Sequence, residues 1–478
     1  MGQIGDQGSD PSRTITRRAV LRGIVGGAGA VTLAAFGCAP AAAPAPTAAP
    51  KPAATTAPAP AATTAPAPVA TPAPAPAATQ APAAGAGTPS VIRLAAMFSM
   101  SGQSAAVAKP QMSGARLAVA DLNAKGGIKY KGQQIKVELL ERDDESKPEV
   151  AVQRYRQLVQ DDKVNLMVGG TSANVPAAVN EEMKKTPGMF ITANGLAIAT
   201  FKKANKSPYL MQMPISTYAN GRLTARVIGE FKPKSVVLFL PDYAYGQDVN
   251  NAVREVLPVK NPEIKLDTVF HPQGATDVSS YVQKIAEMKP DMTFFGQWGN
   301  DGVVALKQSY EGGLFKRTKI FFIHLGSSFA VAIPPEALEQ VEGHMFFYHD
   351  LTGLGDAATE KAGAEFTSKY LAAVKEYPDT YSPTAYMGIT ELARGIELSN
   401  SLEPGEVYGA LQKNPDIGNS VRGPGKWRKD GQVSWKYFFF RIKGKGAKDR
   451  KDPKWDFAQV TAGIPDAGAT PTEEEMGY

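Results

Sequence analysis

Cysteine is almost missing: the 478-residue chain has one, Cys38. A lone thiol excludes an intramolecular disulfide and any metal site built from several thiolates. Histidine is scarce too, with only His271, His324, His344 and His349. No His-Glu-x-x-His pair, no Gly-Lys-Ser/Thr phosphate loop and no Gly-x-Ser-x-Gly elbow occurs. The signatures of zinc hydrolases, nucleotide-binding loops and serine hydrolases are therefore absent, and no catalytic function or cofactor is expected. The net charge is +6, but no stripe of Lys and Arg interleaved with aromatics appears, so no nucleic-acid partner is expected. The one dense basic run, Lys443 to Lys454, reads as a solvated face near the end of the chain.

Residues 39–90 lack aromatics, Ile, Leu and Met altogether and carry one charge, Lys51, among 24 Ala and 14 Pro. Such a stretch cannot bury enough apolar surface to offset its ordering entropy, and it reads as a disordered Ala/Pro/Thr tether. Before it, Thr16-Arg17-Arg18-Ala19-Val20-Leu21-Arg22 leads into a small-residue apolar run, Gly23 to Gly37, that stops at Cys38. A basic flank, a short apolar run and small residues are the parts of an export signal, and fifteen or so Gly-rich residues are too short to span a bilayer stably. The glycines of Gly23 to Gly29 belong to this signal and not to a dinucleotide loop. Residues 1–38 resemble a twin-arginine export signal. Ala35-Phe36-Gly37-Cys38 resembles a lipobox, with Ala35 and Phe36 where that motif prefers Leu and a small residue, which implies lipidation of Cys38.

From residue 91 the hydrophobic period alternates between short apolar runs and helical spacing. Strands are expected at Val91–Met97, Gln134–Leu140, Val164–Val168 and Met189–Thr192, then at Ser235–Leu240, Met292–Phe295 and Ile320–Ile323. Helices are expected near 148–160, 175–185, 246–257, 277–288, 300–311, 357–375 and 384–399. Strands alternating with helices mean parallel sheets with crossover helices, and two successive sets mean two α/β lobes. A strand pair is expected around Lys426-Trp427 and Val433 to Ile442, turned by Arg428-Lys429-Asp430-Gly431.

Ligands of open α/β sheets bind at the carboxyl ends of the strands, which directs attention to the loops that follow them. Ser99 to Ser104, Gly169 to Asn174, Thr192 to Gly195 and Gly326-Ser327-Ser328 are rich in small and hydroxyl residues. Each Ser or Thr can cap the next helix, or, with nearby backbone amides, hold an anion. Tyr245, in Pro241 to Gly246, can cover an apolar ligand and still offer a hydroxyl. Trp298 stands between two glycines at another strand end. Glu141, Asp143, Asp144 and Glu145 could be imagined around a cation, although an acidic loop at a strand end accounts for them.

Several motifs lie in one order along the body: Met100-Ser101-Gly102, Gly114 to Val119, Leu122-Asn123-Ala124-Lys125-Gly126-Gly127-Ile128, Asp161 to Val164, Tyr245-Gly246, Phe270 to Asp277, and Tyr381-Ser382-Pro383-Thr384-Ala385-Tyr386. With them, residues 91–443 resemble the substrate-binding proteins of branched-chain amino acid ABC transporters. The resemblance implies a type I periplasmic binding fold, two doubly wound parallel-sheet lobes joined by a three-strand hinge. The expected division is 91–214 plus 350–424 for the first lobe and 215–349 plus 425–478 for the second. It also implies a small-molecule solute, permease and ATPase partners of an importer, and an extracytoplasmic location. Thr171, Ser172, Ala193 and Asn194, with Ser101 nearby, would take the ligand carboxylate. Tyr245 and Trp298 would line the second lobe. Leu325 occupies the place where relatives carry an acid for the amino group, so Asp301 or Asp350 would supply that charge or the solute lacks an ammonium. Small residues at Ala105 to Ala108 imply a roomy pocket. The same fold could also serve as a ligand sensor for a signalling partner.

Overall fold

The computed structural model describes residues 88–466 and 468–478. The expected export signal, Cys38 and the tether as far as residue 87 lie outside the described residues. The first sheet contains β1 (Ile92–Phe98), β2 (Val137–Asp143), β3 (Leu166–Gly169), β4 (Met189–Thr192) and β5 (Leu210–Gln212). Its order is β2-β1-β3-β4-β5, with every pair parallel. β1 shows why its sequence is apolar almost throughout: Leu94, Ala96 and Phe98 enter one core cluster, while Ala95 and Met97 enter another on the opposite face. A parallel strand covered by helices on both sides has no wet face to mark with polar residues.

The second sheet holds β6 (Ser235–Pro241), β7 (Lys265–His271), β8 (Met292–Phe295), β9 (Lys319–Ile323), β10 (Val341–Met345), β11 (Phe439–Gly444) and β12 (Ala458–Ile464). Its order is β12-β11-β10-β9-β8-β6-β7. The strands from β6 to β10 are parallel, and β11 and β12 add to the β10 edge antiparallel. The architecture is that of two α/β lobes.

Two expected strands are divided. Gln134–Leu140 breaks at Lys136: Gln133–Ile135 pairs antiparallel with Ile128–Tyr130, while Val137 starts β2 beside Ile92. Val433–Ile442 breaks likewise. Val433–Trp435 closes the hairpin with Gly425–Trp427, and Phe439 onward joins the second sheet. In the first run the alternation continues while the partner changes, in the second it passes into the buried run Phe438-Phe439-Phe440, and periodicity carries no information about partners.

The helix Ala105–Ala124 packs along Ser382–Ser399, so the late helix belongs with the first sheet. A Cβ added at Gly114 would lie 2.1 Å from the Ser382 carbonyl oxygen, which is the physical content of the Gly-Ala-Arg motif there. Gly127, at φ +111°, ends the Leu122–Gly127 turn in a conformation that excludes other residues.

The chain passes between the sheets at 213–216, at 346–356 and at 436–438. The third passage is pinned by Arg422, whose Nη2 donates to the Tyr437 carbonyl at 2.6 Å and to that of Phe438, with the guanidinium 4.9 Å over the Trp435 ring. Burial pushes its pKa down to about 9. Residues 425–478 do not all follow the second lobe. The hairpin lies beside β5, where Gln212 N donates to the Gly431 carbonyl and Trp435 Nε1 to that of Met213. After β12 the tail returns as well: Met476 is buried with Met183 and Phe201, and its carbonyl accepts from Lys203 N. The short hairpin and the tail carry no signal that could have assigned them to either lobe.

Candidate functional site

Seven strand ends converge on one narrow, largely closed cavity of about 20 Å³. From the first sheet come Ala173 after β3, Asn194 and Gly195 after β4, and Ile215 after β5. From the second come Tyr243 and Tyr245 after β6, Trp298 after β8, His324 after β9 and Phe346 after β10. Thr217 and Asn220, on the first turn of the helix Thr217–Glu230, complete the wall. A larger depression of about 870 Å³ is open and lies at the opposite ends of the second-sheet strands, lined by Lys234, Lys289 and Lys319 among others. The narrow cavity sits at the carboxyl ends, where α/β sheets hold ligands, and so does an open pocket of about 250 Å³ at the rim, lined by Gln103, Ala106 and Val107 after β1 and by Gly299, Asn300 and Val303 after β8.

The first-lobe wall is braced from behind. Thr171 Oγ1 accepts from Ser99 N at 3.1 Å, Ser99 Oγ donates to Asp144 Oδ1 at 2.5 Å, and Asn194 Nδ2 donates to the Thr171 carbonyl. Asp144 is fully buried, and that burial raises its pKa to about 6. Ser172 Oγ is engaged with Asn174 Oδ1 at 2.6 Å, and Ala193 is tied by its N to Gly169 and by its carbonyl to Gln111. Of the carboxylate-binding residues expected from the sequence, Asn194 reaches the cavity. Thr171, Ser172 and Ala193 stand behind it as its scaffold. Ser101 stands apart: it is exposed, its N donates to Asp143 Oδ1, and its carbonyl accepts from Ser146 Oγ.

On the second-lobe side Tyr245 and Trp298 both line the cavity, 5% and 8% exposed. The Tyr245 hydroxyl is buried without a hydrogen-bond partner, and its ring lies 5.7 Å from that of Tyr243. Leu325 is fully buried and is not part of the wall; the residue of its loop that faces the cavity is His324. His324 adopts φ +51°, a left-handed conformation costly for a non-glycine residue. Its Nε2 is 3.0 Å from Asn220 Nδ2 and its Nδ1 is 3.0 Å from Tyr381 Oη, which accepts from Trp298 Nε1 at 2.6 Å. Complete burial, with His344 nearby, drives the His324 pKa well down, so the ring is neutral.

The acidic groups are occupied elsewhere. Asp301 accepts from Gly274 N at 3.0 Å and, across the lobes, from Gln103 Nε2 at 3.5 Å; burial raises its pKa to about 6. Asp350 is exposed and bonded to Thr352 N. Asp248 holds Thr217 Oγ1 and Ile198 N, and Asp379 holds Ser327 Oγ. Glu141 pairs with Arg116 and Glu145 with Lys147, while Asp143 takes the amides of Ser101 and Glu145. Among the described residues no group of three or more His, Cys, Asp or Glu could hold a metal ion, and no helix is long and apolar enough to cross a membrane.

His324 and Tyr243 were adjacent to residues already singled out in the sequence. Ile215, Thr217 and Asn220 follow a three-residue strand that periodicity does not detect. Asn220 lies inside a helix, and only packing brings it to the wall.

The family model described as "Periplasmic binding protein" matches residues 91–448. The Leu/Ile/Val-binding protein homolog 4 of Brucella abortus (strain 2308) is 23% identical over 331 residues, covering 66% of this chain and 74% of its own. A branched-chain amino acid transporter substrate-binding protein from Streptococcus pneumoniae, solved in complex with isoleucine, superposes with a TM-score of 0.66 at 22% identity, covering 77% of this chain and 99% of that one. A solute-binding protein of an ABC transporter from R. palustris, solved in complex with benzoate, gives 0.67 at 17% identity, covering 80% and 99%. With two α/β lobes, a closed cavity at their facing strand ends and a family match across most of its length, the chain belongs to the periplasmic binding protein family.

Proposed function

We propose that this chain is the extracytoplasmic receptor of an ABC importer, which encloses a small organic solute between its lobes and presents it to the permease. The observation that carries this reading is the convergence of seven strand ends from two sheets on one enclosed cavity. The relatives bind isoleucine in one case and benzoate in another, so the solute belongs to the range of branched-chain amino acids and related carboxylates or amides. The backbone at Ala173 and Gly195, with Asn194, would hold the carboxylate, and the rings of Tyr245, Trp298 and Phe346 would cover the apolar part. Closure is secured at the rim, where Gln103 meets Asp301 and the Ile198 amide meets Asp248.

In the same reading the twin-arginine signal exports the chain, and a diacylglycerol on Cys38 anchors it. Two or three acyl chains give stable attachment where one is marginal. If the 52 Pro-rich residues act as a tether, full extension would give a reach of roughly 160 Å at most. The body would stay close to the membrane yet turn freely towards its permease.

The test is a thermal-shift screen of the full chain against amino acids, organic acids and amides. A solute at 100 times its dissociation constant adds about 2.7 kcal/mol, several degrees in melting temperature for a protein of this size. One class of solute is expected to produce such a shift. A flat response to all of them would overturn the receptor reading.

A further inference from the structure

The second-lobe wall of the cavity carries no charge. Its polar groups are the Tyr243 and Tyr245 hydroxyls, Thr217, the Asn220 amide, His324 and the Trp298 indole. Thr217 Oγ1 is committed to Asp248 Oδ2 at 2.5 Å. Trp298, Tyr381, His324 and Asn220 form a chain whose direction is set at one end. The Trp298 indole can only donate, so Tyr381 Oη accepts from it. If Tyr381 O–H donates to His324 Nδ1, His324 Nε2–H is donated to the oxygen of a turned Asn220 amide and the Asn220 NH2 is left over. If His324 carries its proton on Nδ1 instead, Asn220 donates to Nε2 and its carbonyl is left over. In either arrangement one neutral atom of the Asn220 amide remains unused, and Asn220 Oδ1 is in fact buried without a partner. The Tyr245 hydroxyl, also buried, is the second unused group. A buried polar group without a partner is unfavourable, and a ligand atom that bonds it relieves the penalty.

We propose that the cavity selects an organic acid whose substituent facing the second lobe is an uncharged hydroxyl or carbonyl, bonded by Tyr245 and Asn220, and rejects the α-ammonium of an amino acid. This rests on the receptor reading above. A hydroxyl donates to Asn220 Oδ1 and accepts from Tyr245, while a carbonyl accepts from Tyr245 and, with the amide turned, from the Asn220 NH2; neither asks for a counter-charge. An ammonium brought to the same wall would be buried with no carboxylate in contact, which is strongly penalised, because Asp248, Asp301 and Asp379 stand outside the wall with their oxygens bonded to other groups. The rings of Tyr243, Tyr245, Trp298 and Phe346 offer apolar faces to the rest of the solute.

The test is calorimetric titration of the full chain with two isosteric series: phenylalanine, 3-phenyllactate and phenylpyruvate, and leucine, 2-hydroxy-4-methylpentanoate and 4-methyl-2-oxopentanoate. In at least one series the hydroxy or oxo acid is expected to bind at least about 10-fold more tightly than the amino acid. Replacement of the hydroxyl in Tyr245→Phe is expected to weaken that acid by about 3- to 10-fold, the usual worth of one neutral hydrogen bond, without lowering the melting temperature of the unliganded chain. An amino acid that binds as tightly as its hydroxy and oxo counterparts overturns the inference and leaves the receptor reading standing. Unchanged affinity in Tyr245→Phe also overturns it. Failure of all six compounds overturns the inference together with its premise that the cleft takes solutes of this class.

Discussion

Asp144 offers a test of how the first-lobe wall is held. Its side chain is fully buried behind Ser99 and Thr171, Oδ1 accepts from Ser99 Oγ and Ser146 N, and Oδ2 has no partner. Burial is the main cause of a pKa raised to about 6, and the neighbouring charge of Asp143 adds to it. The folded chain therefore keeps this proton at pH values where the unfolded chain, titrating near 4, has lost it. The sign follows: the stability associated with Asp144 is full below about pH 4, falls as pH rises through about 4 to 6, and is gone above that window. At about 1.4 kcal/mol per pH unit the loss is about 3 kcal/mol. Asp144→Asn keeps the acceptor for Ser99 and Ser146 and stays neutral at every pH. Urea unfolding of both proteins from pH 4 to 7.5 is expected to give similar stabilities at pH 4. At pH 7.5 the Asn variant should lead by about 2–3 kcal/mol. A constant difference across the range, or a less stable variant at pH 7.5, would refute the reasoning, because the carboxylate would then be compensated inside the fold.

Two further outcomes are expected. Glu391 is fully buried and receives Arg394 through both oxygens, Trp427 Nε1 at 2.7 Å and Gly418 N at 3.0 Å. Glu391→Ala leaves those donors unpaired and should cost about 3–5 kcal/mol in chemical denaturation, whereas Glu391→Gln, which preserves an acceptor, should cost less. Cys38→Ser should abolish incorporation of labelled fatty acid and release the exported chain from the membrane fraction; retention of both label and membrane association would disprove anchoring at this position.

Some of this protein could be read without coordinates. The apolar runs Ser235 to Leu240, Met292 to Phe295 and Ile320 to Ile323 became central parallel strands because burial on both faces leaves a continuous hydrophobic signature in the sequence. The loops after those strands were legible for the same reason: once a strand is located, its carboxyl end is known. That is how Tyr245, Trp298 and Asn194 could be singled out. That position 325 is a leucine and not an acid was also visible, as was the composition that sets residues 39–90 apart from the body.

What the chain order could not reveal is which side of a loop faces inward and what meets it from across the cleft. Leu325 was the marked position, yet the left-handed turn at His324 sends the neighbouring residue to the wall and buries the leucine. Thr171 and Ser172 lie in the expected loop, but their hydroxyls are taken up by Ser99 and Asn174. Asn220 and Tyr381 are 161 positions apart and meet at one imidazole. Local periodicity records how a segment shares its surface between core and water. It does not record which distant donor completes a hydrogen bond, so the neutrality of the cavity wall exists only once both lobes are packed around it.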